Sequence, residues 1–512
     1  MSKGRTRNAV INVAVNLTSK VLQLLLSFVF RTLLIRYAGN EILGLDGLFS
    51  SIVTVLNMAD LGIVTAVIYF LYRPIVECDY EKIAATMNFF QKFYISVGVF
   101  VLSVGCALIP ILPFLVKLPE NSNVNINLIY VLTIINTATS YFLSSRRIIF
   151  EANQELYRLT LIDFIVQVAL QITQIIIIVT IKNYIAILIA RIVYQVLTNI
   201  FIWIYALKKY PWLKNKSKLS KDCKKTLLTN TSAVMVHKVG GVLVTGTDNI
   251  IISSFISTLL VGFYSNYNLI ISSLSTIAIA IITVLTPSIG NLKESSKDIE
   301  HHYKIFKKIN SLSYIMIAFM SICLFNLINP FIQIWLGKEY LFDTNVVLVL
   351  CVNFYISLMR YPIGAFATAG GYFKQMTIKP IAESIINLVV SLSLVNYIGI
   401  LGVFLGTTVS LVLGSLWVDP VIVYKKWFKK NSLLFFINYI MQFIVLVVLS
   451  TIIYYINKFI TFENEIGSFV CKMVIAIIIS ILGLFAYSLI VPEFRETLVA
   501  GKRKIKKVFR KK

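Results

Sequence analysis

Long apolar stretches alternate with short polar connections along almost the whole chain. From Val21 to Ile490, runs rich in Leu, Ile, Val and Phe recur, each of about 18 residues or more. A helix of about 20 such residues crosses ~30 Å of hydrocarbon, whereas a membrane barrel would show strands of about ten residues that alternate in polarity. The pattern therefore predicts an all-α integral membrane protein.

Fourteen membrane-spanning helices are predicted from the length of the apolar runs and the turn residues between them. They cover residues 9–37, 44–72, 88–116, 125–150, 157–181, 184–207, 226–256, 259–288, 309–336, 344–371, 375–396, 400–424, 433–457 and 467–491. We expect the first helix to be retained, because its basic start leads into an apolar stretch without a small-residue cleavage site.

The distribution of charge predicts the orientation of these helices. Only 14% of the residues are charged, and 48 Lys and Arg against 23 Asp and Glu give a formal net charge of +25. The basic residues concentrate in alternate connections, at 208–225, 293–308 and 425–430, and in the tail from Arg495. Because cytoplasmic loops retain Lys and Arg, both termini are expected in the cytoplasm.

The basic connections also indicate which partners to expect. They are short, lie beside helix ends and lack stacking aromatic residues, which argues against a nucleic-acid partner. Anionic lipid headgroups are the expected partner instead. Six dispersed cysteines without CxxC spacing indicate no metal site, and no Walker motif, cofactor motif or catalytic cluster is present. We therefore expect no catalytic residue, no cofactor and no metal.

A weak internal repeat divides the chain into two halves. An offset of 218 residues aligns Asn12 with Asn230, Lys20 with Lys238 and Gly44 with Gly262, and further on Asp163 corresponds to Glu383. Because six spans separate the copies, the halves are related by an axis along the membrane normal. The sequence thus predicts a six-helix lobe at 1–207, a basic cytoplasmic linker at 208–225, a second six-helix lobe at 226–430, an extra two-helix hairpin at 431–491 and a basic cytoplasmic tail at 492–512.

Polar stripes follow one face of the first and seventh predicted helices. The first stripe recurs at steps of three or four residues, within an arc of roughly 100°, and contains Asn12, Asn16, Lys20, Gln23, Ser27 and Arg31. The second contains Asn230, Lys238, Asp248 and Asn249. Lys20 and Lys238 lie roughly 16 Å from the cytoplasmic ends of their helices, too deep for the side chain to reach the interface.

Two interpretations of the intramembrane charges remain open. Asp60 lies at the depth of the first-helix lysine, and Asp248 is placed to pair with Arg31 or Arg191, so that these charges would be structural ion pairs. Alternatively, the two stripes and Arg360 face a net cationic cavity that attracts phosphate or carboxylate groups. The second interpretation predicts a transporter of an anionic substrate.

Several segments, taken in order along the chain, resemble those of one transporter superfamily. They are the charged first helix from Asn8 to Gly39, Ala59-Asp-Leu-Gly-Ile63, Asp248-Asn-Ile-Ile-Ile252, Gly262-Phe-Tyr264, and Glu383 with Asn387 before Gly399-Ile-Leu-Gly-Val-Phe-Leu-Gly-Thr407. In these segments the chain resembles the Wzx-type polysaccharide flippases of the multidrug/oligosaccharidyl-lipid/polysaccharide exporter (MOP) superfamily and, more distantly, the lipid II flippase.

This resemblance implies a two-lobed, MATE-like bundle that exports undecaprenyl-pyrophosphate-linked oligosaccharide repeat units across a bacterial plasma membrane for capsule or exopolysaccharide synthesis. It implies glycosyltransferases and a polymerase of the same pathway as partners, and a pyrophosphate-binding or acidic-sugar-binding role for Lys20, Arg31 and Lys238. The expected substrate-binding set is completed by Arg191, Arg360, Asn12, Asn16, Gln23, Asn230 and Asn249, with Asp60 and Asp248 as charge-pairing or coupling residues. A cation-coupled multidrug exporter of the same superfamily and a membrane-embedded polysaccharide enzyme are the alternatives.

Overall fold

The computed structural model describes residues 2–60, 63–119, 122, 124–153, 155–215, 217–221, 223–224, 246–295, 298–460 and 462–490. Within these residues every regular element is helical, which confirms the predicted all-α membrane fold. Eleven of the described helices are long and apolar enough to cross a membrane, or twelve if two short helices that meet at 48°, Ile126–Phe142 and Ser144–Ala152, form one bent span.

The helices follow most of the predicted spans closely. They are Ser2–Leu56, Ile63–Val76, Tyr80–Ala107, Leu112–Leu115, Ile126–Phe142, Ile148–Ala152, Leu156–Thr180, Tyr184–Lys209, Thr258–Thr283, Thr286–Ser295, Ile299–Leu336, Thr344–Ala369, Phe373–Met376, Ile378–Ile398, Ile400–Ser410, Val418–Val423, Leu433–Lys458 and Glu465–Ile490. Short 3-10 helices lie at Asn57–Asp60, Ile109–Ile111, Ser144–Arg147, Pro211–Lys214 and Lys338–Tyr340, and π-helical segments at Ile252–Ile256, Leu411–Ser415 and Tyr424–Phe428. Most of the predicted span 226–256 lies outside the described residues.

The break between the first two predicted spans, 9–37 and 44–72, is present in the structure. The segment Ser2–Leu56 consists of two helices that meet at a kink at Gly39, whose φ of 81° and ψ of 171° are not helical. Glycine adopts such angles because it lacks a Cβ atom. The second span differs from the prediction, because its helix ends at Leu56 and resumes at Ile63–Val76.

Contacts divide the chain into two compact units, Met1–Ser265 and Asn266–Lys512. The boundary falls within helix Thr258–Thr283, later than the basic linker at which the repeat divides the chain. The predicted lobes, linker, hairpin and tail therefore remain predictions, and the tail lies outside the described residues.

Repeat-related residues contact each other inside unit 1. A Cβ atom on Gly262 would lie 3.1 Å from the backbone nitrogen of Gly44, and one on Gly47 would lie 2.8 Å from Ser265 Oγ. Gly44 corresponds to Gly262, and Gly47 to Ser265, at the same 218-residue offset. These two contacts therefore join positions that the predicted repeat places in correspondence.

In unit 2, Gly402 and Gly406 of the segment Gly399–Thr407 lie at a close helix crossing. A Cβ atom on Gly406 would lie 2.8 Å from the backbone nitrogen of Ser391 on the preceding helix. At this approach Ser391 Oγ donates to the Val403 carbonyl at 3.1 Å, and Asn387 Nδ2 donates to Thr407 Oγ1 at 3.0 Å. Small residues at a crossing allow such backbone approach and interhelical hydrogen bonds in a membrane.

Candidate functional site

The described part of the first polar stripe packs within unit 1. Ser27 Oγ donates to the Gln23 carbonyl at 2.7 Å and accepts from Gln171 Nε2 at 3.0 Å. Gln171 belongs to helix Leu156–Thr180 and is buried. The stripe therefore faces helix Leu156–Thr180 at this level. Three further members have their backbone in helix Ser2–Leu56 but side chains outside the described residues, namely Asn12, Asn16 and Lys20.

Arg191, predicted as a substrate-binding cation, forms an ion pair with Asp46. Its Nη1 lies 2.8 Å from Asp46 Oδ1, and Tyr184 OH donates to the same oxygen at 2.6 Å. Arg191 and Tyr184 belong to helix Tyr184–Lys209, where they lie two turns apart on one face. Arg31 also interacts electrostatically with Asp46. The carboxylate partner of Arg191 is therefore Asp46 and not the expected Asp248.

A polar cavity of about 290 Å³ adjoins this pair. Its polar lining comes from three segments of unit 1 and comprises Asp46, Ser50, Thr54, Thr133, Asn136, Thr137 and Arg191. Thr133 and Thr137 are four residues apart on helix Ile126–Phe142, so they share one face with Asn136 beside them. The cavity is therefore lined by an ion pair together with hydroxyl and amide groups.

The described members of the second stripe also pack within unit 1. Asn249 Nδ2 donates to Ser51 Oγ at 2.9 Å, and Asp248 is buried and interacts electrostatically with Tyr264. Asn230 and Lys238 lie outside the described residues, as does the side chain of Asp60. The predicted role of each of these residues in binding or coupling remains a prediction.

Two ion pairs lie within the membrane-spanning helices of unit 2 among the residues that the structure describes. Nη1 and Nη2 of Arg360 each lie 3.1 Å from one carboxylate oxygen of Glu383, in a bidentate arrangement. Lys379, on the same helix as Glu383, pairs with Asp419. The side chains of the first pair are 18% and 11% exposed, and those of the second 14% and 2%. The predicted cation Arg360 is thus neutralised by a carboxylate.

Unit 1 contains a counterpart to the Arg360–Glu383 pair. Arg147 pairs with Asp163, the residue that corresponds to Glu383 in the sequence repeat. In each unit the arginine comes from the segment before the helix that carries the acid, and it precedes the acid by 16 residues in one unit and 23 in the other. The two pairs therefore contain the two acids, Asp163 and Glu383, that the predicted repeat places in correspondence.

Sequence reasoning missed Asp46, Arg147, Lys379 and Asp419. All four lie inside predicted spans, where an ionisable residue is costly and needs a partner or a wet surface. A complete inventory of charges within the predicted spans would have found them, although it would not have paired them. Among the described residues, no group of three or more His, Cys, Asp and Glu side chains is placed to hold a metal ion.

Comparison with known sequences gives one family match. The profile of a family described as polysaccharide biosynthesis protein matches residues 9–293. No curated protein matches the sequence significantly.

Comparison with solved structures shows the same fold in several transporters. The lipid II flippase MurJ in an inward closed conformation is 14% identical and superposes with a TM-score of 0.67. The alignment covers 94% of this chain and 100% of MurJ. A multidrug resistance MATE family transporter of the MOP superfamily, in an inward-facing conformation, is 13% identical, with a TM-score of 0.62 over 79% of this chain and 97% of that chain. The Vibrio cholerae MATE transporter VcmN in a bent form is 15% identical, with a TM-score of 0.52 over 80% and 94%. These similarities confirm the predicted MATE-like fold.

Proposed function

Because the chain belongs to the polysaccharide biosynthesis protein family, we propose that it is a flippase that exports undecaprenyl-pyrophosphate-linked oligosaccharide repeat units for cell-surface polysaccharide synthesis. One observation carries the proposal. The family match coincides with a fold shared with MurJ, a lipid II flippase, over 94% of the chain. Movement of lipid-linked sugars between leaflets is the role that we propose for a polysaccharide biosynthesis protein with that fold.

The proposed mechanism needs no covalent chemistry. The sugar and pyrophosphate bind on the cytoplasmic side and are released on the outer side, while the polyprenyl tail stays in the lipid. Lys20, Lys238 and Arg31 are the proposed pyrophosphate ligands. Arg191 and Arg360 are each neutralised by a carboxylate, so they are better suited to hydrogen bonding with sugars than to attracting an anion.

The membrane potential would favour export. Each elementary charge that crosses the membrane is worth about 2.3 kcal/mol per 100 mV, so an outward-moving dianion gains up to roughly 4 to 5 kcal/mol from a negative interior. A voltage-driven mechanism would therefore not require a nucleotide. This agrees with the absence of a Walker motif from the sequence.

A multidrug exporter is the second candidate, because the fold also matches the MATE transporters. The test is a comparison of two substrates in liposomes that contain the purified protein. We expect leaflet exchange of a polyprenyl-pyrophosphate oligosaccharide above the rate in protein-free liposomes, and no uptake of a cationic dye under a proton or sodium gradient. Dye uptake without exchange of the lipid-linked sugar would contradict the flippase proposal and favour the exporter.

A further inference from the structure

We infer that the cavity beside Asp46 and Arg191 binds a sugar ring of the transported headgroup through the hydroxyl groups of that sugar. The inference deepens the proposed flippase function and rests on it. It assigns recognition of the sugar to this cavity of unit 1 and leaves recognition of the pyrophosphate to Lys20, Lys238 and Arg31, of which Arg31 interacts with Asp46 of the cavity.

The two charged residues that line this cavity balance each other. Arg191 and Asp46 lie in contact at 2.8 Å, and each side chain keeps 24% of its surface exposed, while Arg31, which also interacts with Asp46, is not part of the lining. A paired carboxylate repels an anionic ligand and so offsets the attraction of the guanidinium. The pair therefore favours a neutral ligand over a phosphate group, and both partners remain accessible to it.

The threonine hydroxyls that line the cavity already donate to the backbone. Thr133 Oγ1 donates to the Ile129 carbonyl at 2.8 Å and Thr137 Oγ1 to the Thr133 carbonyl at 2.9 Å. Each hydroxyl has one hydrogen, so these two oxygens can only accept from a ligand. Thr54 Oγ1 is committed in the same way to the Ser50 carbonyl at 2.7 Å.

Two more acceptors complete this arrangement. Asn136 Oδ1 is buried and has no hydrogen-bond partner among the described residues. Both described hydrogen bonds to Asp46 fall on Oδ1, which leaves Oδ2 to accept from a ligand. A buried acceptor without a partner costs free energy, and a ligand that donates hydrogen bonds removes that cost.

A sugar has the complementary chemistry. Its hydroxyl groups donate to the threonine, asparagine and aspartate oxygens and accept from the remaining N–H groups of Arg191. A phosphate group at neutral pH offers mainly acceptors and would face the acceptors of the wall. The volume of about 290 Å³ lies near the lower end for small-molecule pockets. It therefore suits one sugar ring better than a whole repeat unit.

The predicted orientation places this cavity in the outer half of the membrane. Arg191 follows the start of helix Tyr184–Lys209 by about two turns, roughly 10 Å. Thr133 and Thr137 lie roughly 10 to 16 Å from the start of helix Ile126–Phe142. Both helices begin on the predicted extracytoplasmic side, so the sugar would occupy this site on the side of release.

The test uses two lipids that differ only in the sugar. The full-length protein in nanodiscs is titrated with a polyprenyl-pyrophosphate oligosaccharide and with the same polyprenyl pyrophosphate without sugar. For Thr137→Val and for Asn136→Ala we expect binding of the sugar-bearing lipid to weaken about five- to tenfold, as for loss of one hydrogen bond. Binding of the sugar-free lipid should not change.

Thr139→Val is the matched control, because Thr139 lies on the same helix and bonds to the Asn136 carbonyl. It should leave the binding of both lipids unchanged. The sugar assignment would be overturned if Thr137→Val weakened the binding of both lipids equally. It would also be overturned if Thr137→Val and Asn136→Ala both bound the sugar-bearing lipid as tightly as the wild type does. Binding of neither lipid by the wild-type protein would instead overturn the proposed function itself.

Discussion

At the scale of single residues, the main feature of the described charges within the membrane-spanning helices is that they form ion pairs. Arg360 and Glu383 meet in a bidentate pair, Lys379 meets Asp419, and Arg191 meets Asp46. A partly buried charge without its partner is strongly unfavourable, whereas removal of both partners costs much less. The contribution of each pair to stability can therefore be measured by comparing single substitutions with the double substitution.

The Arg360–Glu383 pair gives the first prediction. Arg360→Met leaves Glu383 without its partner and should lower stability by about 3 to 5 kcal/mol. Thermal unfolding of the purified protein in detergent should show a clear fall in Tm. The double variant Arg360→Met/Glu383→Met should regain most of that loss. A double variant less stable than Arg360→Met alone would contradict this account of the pair.

Arg147 and Asp163 provide the control for that prediction. Their side chains are 29% and 44% exposed, against 18% and 11% for Arg360 and Glu383. Water screens an exposed pair more effectively. We therefore expect the fall in Tm from Arg147→Met to be smaller than that from Arg360→Met.

Arg146, next to Arg147, behaves differently in the structure. It is 5% exposed, and its only described hydrogen bonds run from Nη2 to Asn88 Oδ1 at 3.4 Å and to Gln91 Oε1 at 3.0 Å. Its Nε and Nη1 are buried without a partner among the described residues. A buried charge without an opposite charge costs several kcal/mol.

The second prediction follows from this cost. Arg146→Met removes an uncompensated charge and should leave the Tm in detergent unchanged or raise it, whereas Arg147→Met should lower it. The two variants form a matched pair at adjacent positions. A larger loss of Tm from Arg146→Met than from Arg147→Met would contradict a net cost of the Arg146 charge.

The charged residues show how far sequence reasoning reaches at this scale. Arg31, Arg191 and Arg360 were identifiable because a cation in an apolar run is conspicuous. Their partners were not, because Asp46 and Arg191 are separated by 145 residues and only the packing of the helices brings them together. The sequence shows how deep a residue lies along its helix, but it does not show which neighbouring helix the side chain faces.

At the scale of secondary-structure elements, some helices cross so closely that no side chain larger than that of glycine fits between them. A Cβ atom on Gly44 would lie 2.1 Å from the Thr258 carbonyl oxygen, and one on Gly262 would lie 2.8 Å from that of Asn40. Both neighbouring atoms belong to the backbone and cannot rotate away. Separation of the two helices is the only way to accommodate a methyl group.

The third prediction concerns this crossing. Gly44→Ala and Gly262→Ala should each destabilise the protein by about 1 to 3 kcal/mol through overpacking, measured as a fall in Tm in detergent. Gly290→Ala is the control, because no atom lies within 4 Å of its added Cβ and alanine favours a helix. A fall in Tm for Gly290→Ala as large as for Gly44→Ala would contradict the packing explanation.

The elements were largely predictable because apolar run length determines a membrane helix almost directly. The break near Gly39 was predicted from the polar residues between the first two spans, but its geometry, a kink at one residue with non-helical angles, was not. The π-helical segments Leu411–Ser415 and Tyr424–Phe428 on either side of Asp419 leave no periodic signal in a Leu- and Val-rich sequence. Such segments occur often at functional sites.

At the scale of the whole molecule, the internal repeat remains a prediction. Gly44 and Gly47 contact Gly262 and Ser265, their counterparts at the 218-residue offset, and the Arg147–Asp163 and Arg360–Glu383 pairs contain the corresponding acids. The repeat could be inferred from a few Asn, Lys and Gly positions. The net charge of the substrate path could not, because pairing neutralises most of the arginines from which it was inferred.

The fourth prediction concerns the driving force. Proteoliposomes with a potassium diffusion potential of 100 mV should shift a polyprenyl-pyrophosphate oligosaccharide toward the leaflet on the positive side, by up to roughly 4 to 5 kcal/mol for a dianion. The leaflet distribution at equilibrium is the measurement, with valinomycin-free vesicles as the control. A distribution that is independent of the potential would contradict voltage-driven export.

The most direct test of the central claim is the rate of leaflet exchange of a polyprenyl-pyrophosphate oligosaccharide in proteoliposomes with Lys20 or Lys238 replaced. Lys20→Ala and Lys238→Ala should each slow exchange about tenfold or more, since each removes a cation that is proposed to bind the pyrophosphate. Lys20→Arg and Lys238→Arg should retain most of the rate, and the exposed Lys304→Ala should match the wild type. Wild-type rates for both alanine variants would contradict an anion carrier built on these two lysines.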